Sequence, residues 1–248
     1  MKTSKRKLIL GFNSDAKTSK GVEADQVLTG ILYLSPSDLS GYQVCPMAKL
    51  AGCETPCLNS AGRGAFNSVQ IARLNKTKRF FEERDAFMLD LEYSINALIR
   101  KADRENLKPM VRLNGTSDIK WENIAFTNSH GVTYKNIFEA FPNVQFYDYT
   151  KIPNRKNIPE NYDLTFSYSG VSTFAKYNQK ALLNDNLNRI AVVFDKRETM
   201  PIKFLNREVL DGDNSDVRAY DPKNVIIGLY AKGKARKDQS GFVIQGGV

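Results

Sequence analysis

Three cysteines, which are all the cysteines of this chain, lie close together at Cys45, Cys53 and Cys57. Their spacing is C-x7-C-x3-C. Thiols gathered in this way, with none elsewhere, favour the binding of a soft metal over simple packing. A structural zinc normally takes about four protein ligands. An iron–sulfur cluster held by three cysteines would instead keep one iron open for a small molecule.

The sequence leaves three explanations of the cysteines open. The favoured expectation is a [4Fe–4S] cluster. The second is zinc with a fourth ligand such as His130, Asp or Glu, and the third is a packed loop that buries three thiols without a metal. His130 is the only histidine, so a Ser-His-Asp or Cys-His mechanism has little support. The sequence shows no Walker A or Rossmann glycine motif.

Length and composition predict one globular domain over residues 1–248. Hydrophobic residues make up 42% of the chain and charged residues 25%, which is ordinary for a globular protein. No apolar run reaches the roughly eighteen residues of a membrane-spanning helix, so we expect no membrane partner. The start lacks the features of a signal peptide. We therefore expect a cytoplasmic protein, where disulfides are unusual.

A net charge of +9 makes nucleic acid or another anionic partner a possibility. The densest basic group is 232–237, near the carboxyl end of the chain. Elsewhere the charge is spread along the sequence, as it is on a surface that merely carries an excess of lysines. The sequence therefore indicates nucleic-acid binding through 232–237 only as an alternative to small-molecule binding.

Short apolar runs bounded by turn residues alternate with helical patterns along the chain. The predicted strands are 7–12, 29–34, 109–113, 144–149, 162–167, 189–194 and 225–231. The predicted helices are 64–74, a long stretch from about 78 to 106, 121–126, 134–141 and 175–187. Several strands are apolar on both faces, which is typical of a parallel sheet. We therefore predict an α/β fold, a partial, open, parallel βα barrel of about six strands.

The cysteine loop, residues 41–64, follows a predicted strand and precedes a predicted helix. It therefore lies beyond the carboxyl end of a strand, where α/β folds bind ligands. Amides around Arg63 at the helix entrance would suit an anion or cluster sulfides. Polar groups also end the later strands, and we expect them to share a cavity with the cysteines. Arg112 should pair with an acid such as Asp118 or with a bound anion. The cavity candidates are Arg112, Tyr149, Lys151 and Ser167.

Several motifs, among them Val44-Cys45-Pro46, Gly52-Cys53, Cys57-Leu58 and the segment Arg112 to Asp118, together resemble a family of phage and plasmid proteins, often called the gene-product-88-like family. The resemblance runs from about residue 13 to 243. It implies a phage or mobile-element protein of the host cytoplasm, but no established biochemical role. The remaining motifs that carry it are Ala61-Gly62-Arg63-Gly64, Ala72-Arg73, Lys76-Thr77, Phe146 to Lys151, and Asp211-Gly212-Asp213 with Asp216.

A weaker resemblance is to radical S-adenosylmethionine (SAM) enzymes, which also place three cysteines in a loop after the first barrel strand. Their spacing is C-x3-C-x2-C, and SAM chelates the fourth iron of their [4Fe–4S] cluster. The resemblance implies a radical-SAM-like fold. By analogy with their glycine-rich strand end, it also implies cofactor contacts from Asn114, Ser117 and Asp118, to which we add Arg63. The longer spacing here departs from the family pattern.

Two functions of different classes follow. The first is an iron–sulfur protein with three cysteine ligands and an open iron, which acts as a radical-SAM-like enzyme if SAM or a similar small molecule binds there. The second is a non-catalytic, metal-stabilised protein that binds nucleic acid or a host protein. A third hypothesis is a metal-free interaction protein in which the cysteines are merely buried. A ligand pocket beside the cysteines would favour the first, and a continuous basic surface the second.

Overall fold

The structure is a computed structural model that describes residues 5–12, 21–23, 25–60, 62–187 and 189–246. Short apolar segments of this chain form strands, as their β-branched and aromatic content predicts. Within the described residues the strands are β1 Val27–Ile31, β2 Lys108–Arg112, β3 Phe126–Thr127, β4 Thr133–Tyr134, β5 Gln145–Thr150, β6 Tyr162–Ser167, β7 Arg189–Phe194, β8 Lys203–Phe204, β9 Arg207–Asp211 and β10 Ile226–Tyr230.

Helices fill the connections between the strands. The α-helices are α1 Ser37–Ser40, α2 Asn67–Glu82, α3 Arg84–Arg104, α4 Ile137–Ala140 and α5 Ala175–Leu182. Single 3-10 turns occur at Leu58–Ser60, Gly62–Ala65, Trp121–Asn123, Ser172–Phe174, Arg218–Tyr220 and Gly233–Lys237. None of the described helices combines the length and the apolar character needed to cross a bilayer.

The main sheet has eight strands in the order β1-β2-β5-β6-β7-β10-β9-β8 and is not closed. Every neighbouring pair is parallel except the antiparallel pair of β8 and β9. From β1 to β7 the strands join the sheet in chain order. The carboxyl ends of these parallel strands therefore meet at one edge, and the loops that follow them are neighbours.

The predicted parallel α/β class is confirmed, but the partial barrel of about six strands is not. Six of the seven predicted strands are present within a residue or three of their expected bounds. Four described strands escaped prediction: β3 and β4, which form a separate two-stranded sheet, and β8 and β9, which join the main sheet and carry charged residues. The strand predicted at 7–12 is wrong, since Ile9 N donates to the side chain of Ser94 rather than to a strand. Only Gly11 bridges β1, by mutual hydrogen bonds with Ile31.

The boundary between the two long helices also differs from the sequence prediction. The chain breaks at Glu83, with φ −133° and ψ 49°, and not near Thr77. Thr77 stands just before the predicted start of the long helix, but in the structure it is buried inside α2. There its hydroxyl donates to Arg73 O and accepts from Ser35 N. Thr77 thus bonds across to the segment after β1, and this contact overrides its capping preference.

Helix α3 packs against one face of the sheet. Its buried residues recur at three- and four-residue steps and include Phe87, Leu91, Ile95 and Leu98. Burial of each such side chain stabilises the fold by about 1.5–3 kcal/mol. Gly30 on β1 faces this helix, because a Cβ there would lie 2.9 Å from Leu98. We call this side of the sheet the helix face.

The opposite side, which we call the open face, has a smaller core of its own. Val27, Met110 and Tyr147 pack there against Val217. The next residues along the chain, Arg218–Tyr220, contact β5 and β6. A polar, irregular segment therefore covers part of the open face, instead of the helices that cover both faces of a doubly wound sheet.

Candidate functional site

The cysteine loop lies across the carboxyl ends of the parallel strands, as the sequence predicts. Its backbone is fixed to loops that follow two different strands. Asp118 N, after β2, donates to Val44 O at 2.7 Å, and the hydroxyl of Ser169, after β6, donates to Ala51 O at 2.7 Å. The loop that carries the thiols is thus fixed at the edge where parallel α/β folds bind ligands.

All three cysteines are reduced and partly buried. Cys45 Sγ lies 3.8 Å from Thr116 O, and Cys57 Sγ accepts a hydrogen bond from Asn59 N at 3.4 Å. Burial is the main cause that raises the pKa of each thiol, most strongly for Cys45. The negative charges of Cys57 and Cys53 would raise the pKa of Cys45 further. The three groups therefore lie within electrostatic reach of one another, and as free thiols they resist ionisation.

In the conformation described, the thiols are not arranged around one point. No group of three or more His, Cys, Asp or Glu side chains among the described residues is placed so that it could hold a metal ion. Cys53 Sγ is turned towards Ala48 O, 3.6 Å away. A metal at these cysteines would thus require the loop to move.

Lys151 is a buried cation beside this loop, and a second, Arg73, donates to Asn59 within the loop at 2.7 Å. Its ammonium group donates to Ser167 O at 3.0 Å, to the Ser167 hydroxyl at 3.1 Å and to Tyr168 O at 3.4 Å. The rings of Phe242 and Phe174 lie 4.7 and 5.7 Å from the nitrogen. Two of the predicted cavity residues, Lys151 and Ser167, therefore contact each other directly.

The charge of Lys151 acts on the cysteines. Burial lowers the pKa of Lys151, and the charges of Cys53, Asp118 and Cys45 oppose that change. In return, Lys151 lowers the pKa of Cys53 and Cys45 against the effect of burial. This arrangement would stabilise a negative charge on the sulfur atoms, and a site shared by Lys151 and the cysteines stays a prediction.

Asp118 belongs to a second buried network on the far side of Lys151. Its carboxylate accepts from Lys151 N at 2.8 Å and lies 3.5 Å from Arg155, which also pairs with Glu122 at 2.7 Å. Burial raises the pKa of Asp118, and Arg155 opposes the rise. The expected pairing of Asp118 with Arg112 is therefore wrong. Arg155 was not identified from the sequence, because it lies in a loop without any motif around it.

Two of the suggested cofactor contacts hold their own loop together. Asn114 Oδ1 accepts hydrogen bonds from the Ser117 hydroxyl at 2.8 Å, from Ile119 N at 2.9 Å and from Trp121 Nε1 at 3.1 Å. Asn114 and Ser117 thus use their polar atoms to shape the turn after β2. Arg63, the fourth suggested contact, is exposed on the Gly62–Ala65 turn at the entrance of α2.

Arg112 and Tyr149 lie on the open face, as the alternation of β2 and β5 predicts. The guanidinium carbon of Arg112 lies 4.8 Å from the centroid of the Tyr149 ring. The nearest carboxylate is Asp148, whose Oδ1 is 3.9 Å from Arg112 Nε. The pairing of Met110 with Gln145 places Arg112 and Tyr149 on the same face, whereas Lys151 lies beyond the end of β5.

Asp148 is the buried acid that sequence reasoning missed. It is fully buried and accepts from Asn114 N at 2.8 Å, from Leu113 N at 3.3 Å and from the Tyr162 hydroxyl at 3.0 Å. Burial raises its pKa to about 7, although Arg112 opposes the change. The signal in the sequence was the position of Asp148 between Tyr147 and Tyr149 within a predicted buried strand.

An open cleft of about 550 Å³ adjoins the cysteine loop on its outer side. Pro46 and Gly52, the sequence neighbours of Cys45 and Cys53, form one wall, and Val171 and Ser240 form the other. The cleft provides room for a small molecule beside the loop. His130, the suggested fourth zinc ligand, lies in the turn between β3 and β4, where its backbone N donates to Asn128.

The comparisons with known proteins give one match. A family model described as gene product 88 matches residues 5–246. No curated protein and no solved structure matches the chain, and the resemblance to radical SAM enzymes is not supported. Because the family match covers nearly all of the chain and includes the cysteine loop, this protein belongs to the gene product 88 family.

Proposed function

We propose that Cys45, Cys53 and Cys57 bind a metal centre, with a [4Fe–4S] cluster as the occupant, and that the open iron binds a small molecule. The observation that carries the proposal is the position of the cysteines. The whole thiol complement of the chain lies in one partly buried loop at the carboxyl ends of the strands, and a buried ammonium group, Lys151, acts on two of the thiols.

The charges around the loop favour a positively charged metal centre whose complex with the three thiolates is negative overall. Burial makes an isolated thiolate costly at Cys45, Cys53 and Cys57. A bound metal removes that cost, because it displaces the protons and neutralises the sulfur charges. Three thiolates on a cubane leave a net negative charge, which the ammonium group of Lys151 would offset. A reducing cytoplasm, where the thiols stay unpaired, suits this chemistry.

The proposal requires the loop to close around the metal. Gly41 and Gly52 have positive φ values of 76° and 67°, and these turns bracket the segment that carries Cys45. The backbone of Ala51 is fixed by Ser169. We therefore expect Cys57, at the far end of the loop, to make the largest movement on binding. Metal binding would then be coupled to ordering of the residues around it.

The small-molecule ligand belongs to the same proposal. SAM is the first ligand to test, since its amino and carboxylate groups would suit an iron without a protein ligand. Asn114 and Ser117 would have to leave their present hydrogen bonds to contact it. Lys151, Arg112 and Tyr149 on the open face are therefore the better candidates to position a ligand. If SAM binds productively, the protein is an enzyme in which the cofactor supplies the radical chemistry.

Single substitutions of each cysteine by alanine test the metal site. Each variant, purified without oxygen, should lose most of its bound iron and should unfold at a lower temperature than the parent protein. Lys49→Ala is the matched control, because Lys49 is exposed within the same loop. Reduced wild-type protein should also change its EPR spectrum when SAM is added. Full iron retention by all three cysteine variants would refute the site, and an unchanged spectrum would leave the metal centre without SAM.

Nucleic-acid binding is the second candidate function, and one observation favours it. The basic turn Gly233–Lys237 contacts the turn Leu58–Ser60, which directly follows Cys57. Lys234, Arg236 and Lys237 are exposed there. A metal-stabilised loop would then hold a basic surface in place for phosphate contacts, and the metal would have no catalytic role.

Fluorescence anisotropy with labelled single- and double-stranded DNA distinguishes the two functions. Replacing Lys234, Arg236 and Lys237 by glutamate should weaken binding and reduce its salt dependence by about one unit of slope for each lost phosphate contact. The control replaces three other exposed lysines, Lys176, Lys180 and Lys203, and so changes the net charge equally. Equal losses in both triple variants would indicate only a general charge effect.

A further inference from the structure

Several buried polar atoms around Tyr149 lack hydrogen-bond partners. Among the described residues, Arg112 Nε, Arg218 Nε and Thr165 Oγ1 are buried and make no hydrogen bond. Buried donors without partners are rare in folded proteins, because each costs about 1–3 kcal/mol. Further atoms of this kind, such as Ser35 Oγ and Arg155 Nε, lie elsewhere among the described residues, but those around Tyr149 are neighbours that one ligand could complete.

All three side chains neighbour Tyr149 on the open face. The guanidinium carbon of Arg112 lies 4.8 Å from the ring centroid, and Thr165 is the cross-strand partner of Tyr149 in the register of β5 and β6. Arg218 begins the turn that contacts β5. Burial raises the pKa of Tyr149, while Arg218 and Arg112 oppose the rise, which places both cations within electrostatic reach of the tyrosine.

Arg112 also lacks a close counter-ion in the described part of the chain. It is 5% exposed, and its only ion pair there is the 3.9 Å contact with Asp148. Asp148 already accepts three hydrogen bonds, from Leu113 N, Asn114 N and the Tyr162 hydroxyl. By contrast Arg189, on the same face, pairs with Asp163 at 2.5 Å and donates to Asp221 O at 2.8 Å. A buried guanidinium without such pairing is strongly unfavourable.

We propose that Arg112, Tyr149 and Thr165 form an oxyanion site that binds the phosphate or carboxylate group of a small ligand. Arg218 contributes its nearby charge, since its own terminal nitrogens already pair with Asp221 at 3.0 Å and with Gly212 O at 3.1 Å. A guanidinium group presents paired N–H donors that match both kinds of oxyanion. Thr165 supplies a hydroxyl donor. Tyr149 is only partly buried, whereas Arg112 is buried beneath it, so a ligand would have to displace the Tyr149 ring to reach Arg112.

This site goes beyond the metal centre and does not depend on it. Tyr149 and Lys151 are two residues apart at the end of β5. In extended backbone this spacing separates their Cα atoms by about 7 Å. An anionic ligand at Arg112 would thus lie beside the region that Lys151 and the cysteines share. The anion site can nevertheless be tested in protein that contains no metal.

The test measures stabilisation of the purified chain by simple anions. Thermal unfolding is followed with inorganic phosphate and with acetate, and chloride keeps the ionic strength constant. An anion that binds only the folded state stabilises it by RT ln(1 + [L]/Kd), so the unfolding temperature rises with the anion concentration. Wild-type protein should respond to at least one of the two anions, and the preferred anion identifies the ligand as phosphorylated or as a carboxylic acid. Arg112→Gln should weaken binding by at least about tenfold.

Arg189→Gln is the matched control, because it removes an equally buried arginine from the same face. It should unfold at a lower temperature than wild type, since Asp163 loses its partner, but it should keep the anion response. Tyr149→Phe should fold normally and bind the anion less tightly, which keeps the site testable if Arg112→Gln does not fold. An absent wild-type response to both anions would overturn the proposal. So would an undiminished response in both Arg112→Gln and Tyr149→Phe.

Discussion

Replacement of Asp148 by asparagine should change how the stability of the protein depends on pH. Burial raises the pKa of Asp148 from 3.8 to about 7 in the folded protein. The folded state therefore holds a proton that the unfolded state has already released between these two values. The resulting stabilisation is complete below pH 4 and is lost as the pH rises through 7.

The size of the effect follows from the shift. A difference of about three pKa units corresponds to about 4 kcal/mol over the whole range. About 2 kcal/mol of this should be lost between pH 5 and pH 7, with little further change above about pH 8. Asparagine cannot titrate, and its amide oxygen can still accept from Asn114 N. The free energy of unfolding of the variant should therefore not fall between pH 5 and pH 7 as that of wild type does. The two proteins should be closest in free energy of unfolding at pH 8.

Urea denaturation at pH 5, 6, 7 and 8 measures the free energy of unfolding for this comparison. Asp163→Asn is the control, because it removes a carboxylate from the neighbouring strand β6 without touching Asp148. It should leave the pH slope that Asp148 causes in place. If the free-energy difference between Asp148→Asn and wild type is the same at all four pH values, Asp148 is not the buried titrating acid described above.

Two further substitutions test the loops that surround the site. Asn114→Ala should lower the free energy of unfolding by about 2–4 kcal/mol, because Trp121 Nε1 and Ile119 N lose their acceptor, whereas Ser117→Ala should cost about 1 kcal/mol or less. Glu122→Gln should cost about 3 kcal/mol, since Arg155 keeps its buried charge but loses its closer partner. Urea denaturation measures both effects, and equal values for Asn114→Ala and Ser117→Ala would contradict the central position of Asn114.

The parallel sheet could be predicted because its strands are apolar on both faces. The runs at Ile190 to Phe194 and at Ile226 to Leu229 are buried in the centre of the sheet, and this pattern is local. The pair β8 and β9 could not be predicted in this way. Its turn depends on positive φ values at Leu205 and Asn206, and its strands carry charged side chains. The edge of the sheet is therefore the part that local patterns specify least.

The candidate site could be predicted only where strand alternation determines it. Alternation places Arg112 and Tyr149 on one face, and the register of β2 and β5 agrees. The partners of these residues depend on contacts that are distant in sequence, such as Lys151 with Ser167 and Tyr168. The polar residues after β2 around Asn114 form a turn whose side chains hydrogen-bond to other residues of the same turn. No periodicity distinguishes such a turn from a ligand contact.

The most direct test of the metal centre is a metal and sulfide analysis of wild-type protein purified without oxygen. The account predicts about four irons and a matching amount of acid-labile sulfide per chain, with a brown protein as the visible sign. A single zinc without iron would contradict the cluster but keep a metal at the cysteines. Protein that folds with neither iron nor zinc, and does not take up iron and sulfide on reconstitution, would contradict the central claim.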